Sequence, residues 1–110
     1  MISGVTRQIA GKSETFRMTT RAMMAIEDRF DKGLIEVLQG LETGFRISDI
    51  VTLVSECADD GAGVDVGRAS QLVDEIGVTE AGNLLGEVAE GAFPEAKKGK
   101  NSKRAVPPKK

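Results

Sequence analysis

The sequence predicts an α+β domain that is mainly helical, with an N-terminal β-hairpin packed on four to five short helices and a disordered basic C-terminal tail. Three observations carry that prediction. Phe16 and Met18 alternate with polar residues, a strand rhythm, whereas Ala22, Met23, Ile26 and Phe30 recur at three- and four-residue spacing, a helix rhythm. Further apolar stripes at helical spacing continue as far as Phe93, interrupted by glycines. From Glu95 onward the composition turns basic and loses its large apolar side chains. A length of 110 residues fits one small domain, placed at residues 1–94, with the tail at 95–110. Four Phe with no Trp or Tyr, and 13 Gly, suit small helical packing better than an aromatic-rich groove.

Residues 2–9, ISGVTRQI, and 14–19, ETFRMT, read as strands, with AGKS between them as a glycine-containing turn. A two-stranded hairpin alone is marginal in water, so it is expected to lie on helices. Thr20 is placed to cap the first helix, which runs to about Phe30 before Gly33. A second short helix, LIEVLQGL, puts Leu34, Val37, Leu38 and Leu41 on one face, and Gly40 and Gly44 limit its length. Ser48 reads as the cap of SDIVTLVSECA, with Asp49 in the first turn where the helix dipole favours an anion. Ile47, Ile50, Val51, Val54 and Ala58 form its buried stripe, and Cys57 is a small core residue on the same face. DDGAG, residues 59–63, is a loop by composition. Asp65 opens a fourth helix with Ala69, Leu72, Val73 and Ile76 inward, and Gly77 ends it in a left-handed conformation. Thr79 opens a fifth, which buries Leu84, Leu85, Val88 and Phe93 before Pro94 closes the ordered part.

The absence of His and the single Cys57 argue against a zinc site, Cys/His catalysis and an intramolecular disulfide. There is no glycine-rich phosphate loop, no Gly-x-Ser-x-Gly turn and no spaced acidic metal pattern. No enzymatic activity, cofactor or metal is therefore expected. No apolar run approaches the ~20 residues of a membrane span, and MISGVTRQ lacks a basic-then-apolar signal pattern. With one reduced thiol, the expected location is the cytoplasm.

The net charge of −2 hides an asymmetry. Residues 1–94 hold 16 acids and 8 bases, net −8, whereas 95–110 hold Glu95 against six Lys and Arg104, net +6. That end has one Val and no other sizeable apolar side chain, so it cannot offset the entropy of ordering, and disorder is expected.

The order of elements is more informative than any single motif. A strand ending Phe16, Met18, Thr19 leads to Ala22 near the start of a helix with Ile26 and Glu27 in its middle; Leu34, Val37 and Leu38 then form a short leucine helix. Ser48, Asp49 and Ile50 with Leu53 open the next helix, and Leu72, Val73, Asp74, Ile76 and Gly77 make an apolar-Asp-x-apolar-Gly turn. Over roughly residues 3–93 this pattern resembles the phage tail assembly chaperones, more narrowly the branch found in gene transfer agents and related long-tailed phages. The resemblance implies a non-enzymatic protein of a phage, prophage or gene transfer agent. Such a protein binds the tape measure protein in the host cytoplasm, keeps it soluble until the tail tube polymerises, and is absent from the finished particle. It also implies a frameshifted longer form that recruits the tail tube protein, with the basic tail as the point of diversion.

For partner binding the candidates are Met24, Leu41, Phe45, Leu85 and Phe93, with self-association as a further expectation. Met24 lies about 100° round its helix from Met23, so when Met23 joins Ile26 and Phe30 in the core, Met24 is left for a partner. The rival of a different class is a small helix-turn-helix DNA-binding regulator, since QLVDEIGVTEAGNLLGEV has the apolar spacing and the Gly-Val-Thr turn. Its second helix would present Glu80, Glu87 and Glu90 and no Lys or Arg, so duplex phosphates repel it, and nucleic-acid binding is not expected. A bacterial adaptor unrelated to phage is a third reading.

Overall fold

A computed structural model of the chain describes residues 1–93. The basic tail expected from residue 95 lies outside the described residues. Two strands, β1 (Val5–Ile9) and β2 (Lys12–Phe16), precede five helices: α1 (Thr20–Phe30), α2 (Leu34–Thr43), α3 (Ile47–Cys57), α4 (Val66–Ile76) and α5 (Val78–Ala92). The predicted α+β class, with a hairpin on helices, is what the chain adopts.

The hairpin is antiparallel, with Val5 opposite Phe16 and Ile9 opposite Lys12. Its connection is shorter than the expected AGKS. Only Ala10 and Gly11 turn the chain, with φ of 53° and 80°, while Lys12 and Ser13 pair with Ile9 and Gln8 as strand. Positive φ at both turn positions matches the twist of the flanking strands, which a two-residue loop needs. The outer edge of β2 is closed by the turn after α3: Asp60 N donates to the Thr15 carbonyl at 2.8 Å and Arg17 N to the Cys57 carbonyl at 3.0 Å. Covering an edge in this way removes a template for pairing with another chain.

Helix α1 is capped one residue earlier than the sequence suggests. Thr19, not Thr20, accepts a hydrogen bond from Ala22 N at 3.1 Å, because its backbone is still extended while Thr20 is already helical. At the far end Asp31 takes a left-handed conformation. The Glu27 carboxylate then accepts from Leu34 N at 2.9 Å, so α1 caps α2, whose own N-cap, Gly33, has no side chain to offer. Helix α2 runs through Gly40 to Thr43, two residues past the expected Leu41.

Helix α3 begins at Ile47, before the expected cap Ser48. Asp49 reaches back to Arg46 N at 3.3 Å, which satisfies an early backbone donor and moves the start forward. Ile47, expected in the buried stripe, is 55% exposed in that first turn. Asp65 caps α4 as expected, accepting from Arg68 N at 2.7 Å. Gly77 has the positive φ foreseen, 90°, but with ψ 154° it is extended rather than left-handed helical. It therefore ends α4 and starts α5 within one residue, which places the start of α5 at Val78 instead of Thr79.

Helix α3 is the centre of the domain and packs against α1, α4 and α5, while α2 packs on α1 and the hairpin lies on α4 and α5 through β1. The core joins Phe16, Met18 and Ile26 to Ile50, Leu53 and Val54 and to Leu72, Leu84 and Val88. Each such side chain contributes about 1.5–3 kcal/mol by leaving water. Buried Ser55 donates to the Val64 carbonyl and its own carbonyl accepts from Val64 N at 2.8 Å, so the turn after α3 is tied down without an unpaired polar group. Arg7 of β1 pairs with Glu80 at 3.1 Å and Glu87 at 2.6 Å, fastening the hairpin to α5.

Candidate partner-binding surface

The end of α1, the two short connections around α2 and the first turns of α3 share one cleft. Arg29 and Phe30, Lys32, Arg46, and then Asp49 and Thr52 line an open cleft of about 500 Å³. Three cations and one anion face it, on a domain whose first 94 residues are net acidic.

Each cation is held differently. Glu56, a buried carboxylate of α3, takes Arg21 at 3.1 Å and Arg29 at 3.0 Å, so one anion serves two guanidinium groups and a positive charge is left over. Arg46 is 85% exposed in its side chain and reaches Asp49 only at 4.0 Å. Lys32 is exposed and forms no ion pair among the described residues.

Exposed apolar side chains occur next to these lining residues in the chain. Phe45 and Ile47, on either side of Arg46, are 47% and 55% exposed, and Ile35, three residues after Lys32, is 52% exposed. Ile35 stands out because it lies about 100° from Leu34, off the stripe by which α2 grips α1. Single exposed apolar residues are ordinary on a folded domain.

The five candidates named from sequence do not converge. Phe45 is exposed beside the cleft residue Arg46 in the chain, and Leu41 is half-buried against the core on α2. Met24 is 64% exposed but sits about 140° round α1 from Arg29, so it belongs to another face. Phe93 packs partly buried against the core. Leu85 is only 2% exposed and offers no surface to a partner, because it shares the inward face of α5 with Leu84 and Val88. Ile35 and Ile47 were missed, as was the cation group. A helical wheel of α2 contains the signal for Ile35; the three cations carry none, since residues 29, 32 and 46 meet only through the fold.

Among the described residues no group of three or more His, Cys, Asp or Glu could hold a metal ion, and no helix is long and apolar enough to cross a membrane. Burial, reinforced by the neighbouring Glu56 charge, pushes the Cys57 thiol up to about 12, which leaves it protonated and inert. The carboxylates of α5 that a DNA-reading helix would point at phosphate include Glu80 and Glu87, both occupied by Arg7.

The sequence profile of the family described as phage tail tube protein, GTA-gp10, matches residues 3–91. The chain belongs to that family. It is a phage tail protein, of phage or gene transfer agent type, and the match spans both strands, α1 to α4 and all but the last residue of α5. No curated protein and no solved structure matches it.

Proposed function

We propose that this tail protein is a non-enzymatic tail assembly chaperone. It binds the tape measure protein in the cytoplasm of the bacterial host and keeps it soluble while the tail tube polymerises. The observation that supports the reading is the cleft lined by Arg29, Phe30, Lys32 and Arg46, with Ile35, Phe45 and Ile47 exposed on the neighbouring segments. Such a surface suits a long helical client, which presents repeated apolar stripes to a groove. The tail tube protein is the second proposed partner, recruited by a longer form of the chain.

The test is co-expression with the tape measure protein of the same tail gene cluster. The client is expected in the soluble fraction and in a complex on size exclusion only when this chain is present. Equal precipitation with and without the chain sinks the proposal.

The family description itself favours a second reading, a subunit of the tube. Mass spectrometry of purified particles separates the two: a tube subunit is among their most abundant proteins, whereas a chaperone is missing from them.

A further inference from the structure

Resting on the chaperone reading, we infer that the cleft between the end of α1 and the start of α3 selects acidic segments of the client, docked as helices whose carboxylates face Arg29, Lys32 and Arg46. Two features of the cleft point to this occupant. Its lining carries Arg29, Lys32 and Arg46 against Asp49 alone, and the one buried anion behind it, Glu56, is already shared between Arg21 and Arg29. An incoming carboxylate therefore meets positive charge not yet neutralised, at Lys32 without a partner among the described residues and at Arg46 with a distant one.

The same charges weigh against the other occupants. The chain's own segment 95–110, net +6, is repelled by a cleft of like sign. A second copy docking face to face would set one net-positive cleft against another, because a two-fold interface presents the same patch on both sides. An apolar helix without acids would leave Lys32 and Arg46 facing it unpaired, at a desolvation cost. An acidic helix gives these cations the partners they lack.

The experiment uses the full chain and overlapping peptides covering the tape measure protein, with binding measured at two salt concentrations. Three forms of the chain are compared: wild type, Lys32→Glu/Arg46→Glu and Lys32→Gln/Arg46→Gln. Both side chains are exposed, so unchanged thermal unfolding is expected and is checked first. The wild type is expected to choose peptides of net negative charge with helical apolar spacing. Affinity is expected to fall about tenfold on charge reversal, by less on neutralisation, and to weaken with added salt most steeply in the wild type. Equal binding by all three forms, or a preference of the wild type for neutral or basic peptides, overturns the cleft assignment while the chaperone reading stands. A wild type that binds no peptide and holds no client soluble overturns both.

Discussion

Thr19 and Gly61 hold the entry of the first helix against the turn that follows the central one. Thr19 Oγ1 accepts from Ala22 N and donates to the Gly61 carbonyl, each at 3.1 Å, and Arg21 Nε donates to the same carbonyl at 2.9 Å. A Cβ on Gly61 would overlap Thr19 Cγ2 and the Arg17 carbonyl oxygen, and φ at Gly61 is 89°. Replacement of Gly61 by Ala is thus expected to destabilise the fold by about 2–4 kcal/mol, through a clash and a strained backbone together. Urea unfolding measures it; a loss under 1 kcal/mol would mean the turn readily moves away.

The cap assignment is tested by two neighbouring substitutions. Thr19→Ala is expected to cost about 1–2 kcal/mol, since a helix donor and the Gly61 carbonyl both lose a partner. Thr20→Ala, at an exposed first helical position, is expected to change stability by less than about 0.5 kcal/mol. The reverse order of effects would restore Thr20 as the cap.

Leu85 and Phe45 should separate folding from binding. Leu85→Ala empties a core position and is expected to cost about 2–5 kcal/mol. Phe45→Ala, like Met24→Ala, is expected to stay within about 0.5 kcal/mol of wild type. Chemical denaturation decides between them, and only Phe45→Ala is expected to lower client retention in a fully folded chain.

Cys57 gives a pH signature. Its thiol is held near 12 in the folded chain against an ordinary 9.0, so above pH 9 the unfolded state gives up a proton that the native state keeps. The native state then binds more protons, and this group's contribution to stability is complete below pH 9 and falls as pH rises from 9 towards 12. Cys57→Ala is expected to flatten that part of the stability profile. In the wild type a thiol reagent is expected to react only after denaturant is added, which a colorimetric thiol assay reads directly.

Legibility in the sequence followed the range of the forces involved. Helix α4 was readable throughout, because Asp65 caps it locally and Ala69, Leu72, Val73 and Ile76 keep the period of its buried face. The hairpin loop was not: Ala10 adopts positive φ without being glycine, and Lys12 and Ser13 have no strand signature apart from the partners they meet across the ladder. Helix α3 began early because Asp49 reaches back to Arg46, a side-chain choice that competes with the Ser48 cap on nearly equal local terms. None of the cleft's lining residues was foreseen, and Phe45 is only the chain neighbour of one of them, Arg46. Ile47 fits the apolar pattern of α3 but falls in its first turn, where no neighbouring helix covers it.

The grip of Arg7 on Glu80 and Glu87 also sets an order in time. These contacts join residues 73 and 80 positions apart, so the first strand is made long before the helix it rests on. At synthesis rates of roughly 5–20 residues per second, several seconds separate them. The free side of the hairpin is served sooner, because Cys57 and Asp60, which cover β2, emerge well before α5. The nascent domain thus shields its strand edge first, and the hairpin gains α4 next and its full helical bed only once α5 has left the ribosome.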